Sequence, residues 1–228
     1  MAKPISIAID GPAGAGKSTI ARRLAKELGF YYVDTGAIYR TVAYFFDLWG
    51  VSPKDIDGIT RYIDELTIGI EYDDEGVQHM IMNGMDVTGD IRTPDLSQKA
   101  SLVSAHAIVR DLLLDMQREM AEKHNVIMDG RDIGTVVLPE AELKIFLTAA
   151  PEERARRRCR ELELRGTPEP YEKVLADIQQ RDYNDTHRAA APLRQAEDAV
   201  LLDSTHLDFD GTLQAVEALI RERSQDVL

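Results

Sequence analysis

The chain has 228 residues, with 27 Lys and Arg against 40 Asp and Glu, for a formal charge of −13. That balance excludes a protein whose main task is to grip a nucleic-acid backbone along a wide face, although it leaves room for a small basic pocket that takes a small anion. The hydrophobic share of 44% is enough to bury a core, so the chain is not a disordered tail.

The length fits one domain, or one domain carrying an insert. The single cysteine, Cys159, cannot form an internal disulfide. No apolar run approaches the roughly 20 residues of a membrane span, and Met1-Ala2-Lys3-Pro4 leads into a strand without a signal-peptide pattern. A soluble cytoplasmic monomer is expected, with neither nucleic acid nor membrane as partner. The five histidines are scattered without metal-ligand spacing.

In chain order, Ile5, Ile7 and Ile9 mark a buried strand. Gly11-Pro12-Ala13-Gly14-Ala15-Gly16-Lys17-Ser18-Thr19 follows, and then Ile20, Leu24 and Leu28 recur at helical spacing up to Gly29, a C-cap. A second strand fits Phe30 to Val33. Asp34-Thr35-Gly36 opens a helical region that runs to about Leu66 and breaks near Ser52-Pro53. From Thr67 the period changes to two. Ile68, Ile70 and Tyr72 alternate, a turn follows at 73–76, Val77 to Met82 returns, and Asn83-Gly84 is a hairpin turn. The spacing then predicts one helix from about Asp95 to Lys123. Strands follow at Val126–Met128 and Lys144–Leu147, an arginine-rich helix at Pro151–Gly166, a helix at Tyr171–His187, a strand at Val200–Leu202, and a final helix through Leu213, Val216 and Ile220. Strands separated by helices imply an α/β fold, a parallel sheet with helices on both faces.

Gly11 to Ser18 fits G-x-x-x-x-G-K-[ST] between a strand and a helix. The glycines let backbone N–H groups converge on a phosphate, the helix N-terminus adds partial positive charge, and Lys17 adds a full one. Gly11, Pro12, Ala13, Gly14, Ala15, Gly16, Lys17, Ser18 and Thr19 are therefore the candidate residues for binding a nucleoside triphosphate, which the loop alone does not specify further. Ser18 is the candidate Mg²⁺ ligand, with Thr19 the neighbouring hydroxyl. The N-K-x-D base reader of a GTPase is absent. Asp129-Gly130-Arg131-Asp132 places a carboxylate, a cation and a second carboxylate at a strand end, where open parallel sheets bind ligands.

Arginines collect at Arg40, Arg110, Arg131, Arg181 and Arg188; several follow predicted strand or helix ends that would converge on one cleft, and Arg suits a phosphate acceptor because its planar fork donates two hydrogen bonds. Arg154, Arg156, Arg157, Arg158 and Arg160 cluster on one helix. They either pair with Glu152, Glu153, Glu161 and Glu163 along the helix surface, or form a lid in which Arg154, Arg157 and Arg158 close on the transferring phosphoryl group.

These residues resemble the bacterial cytidylate kinases of the nucleoside-monophosphate kinase family, from Ile5 to the last helix. The specific pieces are Ile9-Asp10-Gly11-Pro12, Asp34-Thr35-Gly36-Ala37-Ile38-Tyr39-Arg40, Asp129 to Val137, and Arg181-Asp182-Tyr183-Asn184-Asp185 with Arg188 and Ala191-Pro192-Leu193. The resemblance implies a P-loop core, a β-rich monophosphate-binding insert at approximately 60–95, and a short helical lid at approximately 151–170. It implies phosphoryl transfer from ATP to CMP or dCMP, with Mg²⁺. Thr35, Arg40, Arg131 and Arg181 would hold the acceptor phosphate, Ser101, Arg110, Asp132 and Arg188 would face cytosine, and Asp185 would face the ribose. Lys17, Arg131, Arg154, Arg157 and Arg158 would be catalytic. Thr35 stands where Ser is common in relatives, and Ser18 where Gly is common. Asp132 can alternatively be a plain salt-bridge partner of Arg131. A kinase for UMP or another small acceptor, and a nucleotide-dependent switch, are the competing readings.

Overall fold

A computed structural model describes residues 3–224. Met1 and Ala2, at the head of the segment read as leading into the first strand, lie outside the described residues.

The central sheet has five parallel strands in the order β2-β6-β1-β7-β8. They are β1 (Ser6–Asp10), β2 (Tyr31–Asp34), β6 (Val126–Gly130), β7 (Leu143–Thr148) and β8 (Val200–Asp203). The middle strands β1 and β6 are buried along their whole length, as expected for strands covered on both faces. One face packs on α1 (Lys17–Leu28) and α8 (Phe209–Ser224), through Ile20, Leu24, Leu213 and Val216. The other packs on α2 (Thr35–Leu48), α3 (Ile56–Tyr62) and α5 (Ala107–Lys123), through Ile38, Phe45, Ile59, Val109 and Leu113. No helix among the described residues is long and apolar enough to cross a membrane.

Three antiparallel strands, β3 (Ile68–Tyr72), β4 (Gln78–Met82) and β5 (Met85–Asp86), form a separate small sheet. Its Met80 and Met82 join the α2-side core. Beyond β7, α6 (Pro151–Leu164) and α7 (Tyr171–His187) pack through a small cluster of their own, Ala155, Leu162, Val174 and Ile178.

One reading from the sequence needs correction. The helix expected over Asp95–Lys123 is two helices, α4 (Pro94–Val103) and α5, broken at Ser104-Ala105-His106. The Ser104 hydroxyl turns back on the carbonyl of Ser101 at 2.8 Å, and the His106 ring bonds the carbonyl of Pro53 at 2.8 Å. Apolar periodicity does not register that local competition. Residues 133–137, unassigned in the sequence, make a single π-helical turn. Asp10 anchors its start by accepting from the backbone N–H groups of Ile133 at 2.8 Å and Gly134 at 2.7 Å.

Gly11 leaves β1 at φ 148°. A Cβ there would lie 1.9 Å from the backbone oxygen of Leu147, so the phosphate loop can cross β7 only with glycine at this position. Gly11→Ala is expected to lose at least about 3 kcal/mol of stability, since strained φ and a backbone clash act together. A thermal-unfolding midpoint equal to that of the parent chain would contradict this.

Candidate active site

The C-terminal ends of β1, β2 and β6 and the N-termini of α1 and α2 open into one cleft of about 2380 Å³. That exceeds the roughly 300–1,000 Å³ of a typical single-ligand pocket, so two ligands can be held side by side.

Residues 13–19 line its floor. The Lys17 ammonium lies across the loop and donates to the carbonyl of Pro12 at 2.8 Å. Ser18 donates to Asp129 Oδ2 at 2.9 Å, and Tyr32 holds Oδ1 of the same carboxylate at 2.8 Å. Thr19 is exposed, so Ser18 is the hydroxyl at the acid. Burial first, and then neighbouring Asp34, raise the Asp129 pKa, so a cation here would relieve a real cost. A hydroxyl and one carboxylate are hard oxygen donors, and no group of three or more acidic, His or Cys side chains that could hold a metal ion occurs among the described residues. That set fits Mg²⁺, which usually keeps waters and shares phosphate oxygens and does not need an all-protein cage. Asp129 was legible only as a strand-end carboxylate. Parallel pairing sets it level with Ile9, and the need of the loop's serine for an acid partner was the signal that could have singled it out.

A second group of cations faces the same space. Thr35 donates to the carbonyl of Asp129 at 2.7 Å, and Arg40 pairs with Asp34 at 3.1 Å. Arg131 Nε donates to Asp185 at 2.8 Å, and Ser101 donates to its other oxygen at 2.8 Å. Arg181 stands beside Arg131 and Arg40, and burial followed by repulsion from Arg131 brings its pKa down to about 10. The Nε atoms of Arg40 and Arg181 are buried without a hydrogen-bond partner. Burial works to raise the Asp185 pKa, but Arg131 and Arg181 outweigh it and hold the carboxyl below its ordinary value.

Asp132 pairs with Arg110 through Oδ2 and with Arg188 Nη2 at 3.1 Å through Oδ1. Its alternative reading as a partner of Arg131 is corrected, because Arg131 is taken by Asp185. Ser104, freed by the break between α4 and α5, accepts from Arg188 at 3.0 Å.

The arginines of α6 divide. Arg154 is buried and reaches behind the phosphate loop, donating to the carbonyls of Ala13 at 2.9 Å and Ala149 at 2.8 Å and to Asp182 on α7 at 3.1 Å. Arg157 lines the cleft but donates to the carbonyls of Ser204 at 2.6 Å and Leu207 at 3.1 Å. Arg158 lines the cleft paired with Glu161 at 2.7 Å, and Arg156 pairs with Glu153 at 3.0 Å. In this conformation the helix-surface pairing describes Arg156 and Arg158 and includes Arg157, whose Nε pairs with Glu153 at 3.3 Å, whereas Arg154 braces the loop from behind.

A parallel sheet carrying a phosphate loop, with a second cationic group across the same cleft, is the arrangement of a P-loop kinase. The sequence pattern of the cytidylate kinases matches residues 7–222. The chain is 51% identical over 222 residues to a cytidylate kinase of Carboxydothermus hydrogenoformans, and 49% identical over 222 residues to one of Exiguobacterium sp. Each alignment spans 97% of this chain and 99% of the relative. A crystal structure of an uncharacterized protein from Eubacterium ventriosum shares the fold, with TM-score 0.50 and 13% identity over 96% of this chain and 99% of that one. The chain belongs to the cytidylate kinase family.

The loop's lysine has a measurable signature. Burial first, and Arg131 next, bring Lys17 from the ordinary 10.5 to about 7. The free site therefore loses that proton as pH rises through neutrality, and a bound triphosphate restores it. ATP binding at pH 8 is expected to take up about one proton, and affinity to weaken as pH rises. Calorimetry in buffers of different ionisation enthalpy measures this, with no uptake expected for Lys17→Met. Equal uptake by both proteins would remove Lys17 as the source.

Proposed function

We propose that the chain transfers the γ-phosphoryl group of ATP to CMP and dCMP, giving ADP with CDP or dCDP. The observation that carries this reading is the pair of buried, unpartnered guanidinium nitrogens on Arg40 and Arg181. Buried polar groups are normally bonded, so a site that gathers Arg40, Arg131 and Arg181 around two open donors is short of an anion. The triphosphate loop lies beside it, which supplies the geometry of a second, acceptor phosphate. An acceptor without phosphate would leave these arginines without a task, and a nucleotide switch would not need them.

In the reaction an oxygen of the acceptor phosphate attacks the γ-phosphorus in line. Bonding between that oxygen and phosphorus accompanies loss of the bridging oxygen to ADP, and no covalent enzyme intermediate forms. The acceptor is anionic at neutral pH, so no general base is required. Lys17 and Arg131 stabilise the charge that spreads over the equatorial oxygens. Ser18 and Asp129 would hold Mg²⁺, which neutralises phosphate charge when bound. Arg154 keeps the Ala13 carbonyl turned away from the phosphates. Arg157 and Arg158 reach the donor side when their present partners release them, and water is excluded as that side closes. The small antiparallel sheet is then the acceptor-side insert and α6 with the loop after it, to about residue 170, the lid, and a single copy of the chain supplies both half-sites. A cytoplasmic location suits an enzyme that draws on ATP.

On this reading Asp132 reads the base. Its carboxylate has about four acceptor positions, of which Arg110 and Arg188 take two. The others can accept from the cytosine amino group, while the arginines donate to ring acceptors. Uracil presents an acceptor where cytosine presents the amino group, and is disfavoured.

Two measurements test these assignments. ADP formation is expected to depend on CMP, and Arg181→Met is expected to raise KM for CMP at least about tenfold, as for the loss of one charged phosphate contact. CMP-independent ADP formation at the same rate would overturn the assignment. For Asp132→Asn the CMP:UMP ratio of kcat/KM is expected to fall roughly ten- to a hundredfold, from about 1–3 kcal/mol for a base-edge contact. Equal losses on both nucleotides would make Asp132 a support for the arginines only.

A further inference from the structure

β2 is an edge strand of the central sheet, paired with β6 on one side only. In a parallel pair, alternate residues of an edge strand turn both backbone groups outward, where they need partners from elsewhere. On β2 those residues are Tyr32 and Asp34, and the small sheet meets both with side chains. The Tyr72 hydroxyl at the end of β3 donates to the carbonyl of Tyr32 at 2.9 Å. The Gln78 amide at the start of β4 accepts from the N–H of Asp34 at 2.7 Å and donates to the carbonyl of the same residue at 3.4 Å. Gln78 thus stands in for a strand neighbour. It is buried, and its Nε2 also rests 3.0 Å from the sulfur of Met80.

The residue it grips is the one that organises the start of α2. Asp34 caps that helix, with Oδ1 accepting from Ala37 N–H at 2.8 Å, and its Oδ2 pairs with Arg40 Nη2. Thr35 follows directly. The chain of contacts therefore runs from the small sheet through Gln78 to the backbone of Asp34, and from the side chain of Asp34 to Arg40.

We propose that Gln78 is a positioning residue for the acceptor-phosphate site, fixing the Asp34–Arg40 pair so that acceptor binding depends on how the small sheet is seated against β2. The proposal rests on the reading of Arg40 as a ligand of the acceptor phosphate. Gln78 itself touches no reacting atom. By reciprocity, if the seated sheet favours the acceptor, the acceptor must tighten the seat to the same degree.

Gln78→Met keeps the volume and the packing against Met80 while removing both amide contacts. The expected result is a rise of about tenfold or more in KM for CMP, with KM for ATP within about twofold and kcat within about threefold, the split of a lost binding contact. Hydrogen–deuterium exchange over residues 34–40 is expected to be faster in the variant without nucleotide. In the parent chain, saturating CMP is expected to slow exchange at the Asp34 amide, and this arm stands even if the variant folds poorly. Unchanged exchange in both arms overturns the proposal. So does faster exchange in the variant with an unchanged KM for CMP, or an equal rise in KM for CMP and ATP. Activity of the parent chain that ignores CMP would instead overturn the reading of the acceptor, and exchange over 34–40 in the variant would then decide the positioning alone.

Discussion

Like charges crowded out of water are the constraint around which this molecule is arranged. Lys17, Arg40, Arg131 and Arg181 converge on a cleft in a chain whose formal charge is −13. Their mutual repulsion appears directly in Lys17 and Arg181, each of which finds its charged form harder to keep for burial first and Arg131 second. The cations stay because carboxylates are fixed within reach. Asp185 stands against Arg131, Asp34 against Arg40, and Asp129 near Lys17. Asp34 and Asp129 sit at strand ends and Asp185 on α7. The sheet sets the spacing of the first two and the α6–α7 packing that of the third. Compensation is incomplete by design of the geometry: two guanidinium nitrogens remain unpartnered, and a site that is not quite neutral is one an anion can complete.

The same logic explains what could be seen in the chain before it was folded. Strand and helix order was legible because buried parallel strands read as short apolar runs, as at Ile7 to Ile9 and Val126 to Met128, and because Gly29 and Asp34 punctuate helices by local chemistry. The phosphate loop was legible because its function is carried by consecutive residues. What was not legible lies in pairings across the fold. Nothing in the spacing says that Arg131 takes Asp185 while Asp132, its neighbour, turns to Arg110 and Arg188. Nor does the arginine run on α6 announce that one member, Arg154, enters the protein and the four others stay at or near its surface. The break at Ser104 is hidden in part for a similar reason, since the hydroxyl that turns back on the Ser101 carbonyl also accepts from Arg188, far away in sequence.

Arg154 shows how the donor side depends on this internal bracing. A flexible glycine-rich loop can present its N–H groups inward only if its carbonyls are held elsewhere. The Lys17 ammonium holds the Pro12 carbonyl and Arg154 holds that of Ala13. Arg154 is simultaneously bound to Asp182 on α7, three residues before Asp185 and next to Arg181. One buried guanidinium therefore joins the loop that would hold the donor to the helix that carries part of the acceptor site. Movements of α6 and α7 cannot be independent of the loop's shape.

The Arg110–Asp132–Arg188 triad carries the argument one step further. Three charged groups removed from water are poor material for stability, because desolvation offsets much of their attraction, and a well-packed apolar trio of similar volume is often at least as stable. Such a triad is therefore better explained by what it can recognise than by what it holds together. Its net charge is positive, yet its centre is a carboxylate with acceptor positions still open. Under the CMP reading, that combination offers donors to the ring acceptors and an acceptor to the amino group of a single base, in a setting where a mismatch leaves a buried charge unsatisfied. Apolar surface could grip a pyrimidine ring but could not distinguish amino from carbonyl. Discrimination between two nearly isosteric bases requires polar groups that are costly to bury, and the fold spends stability there to obtain it.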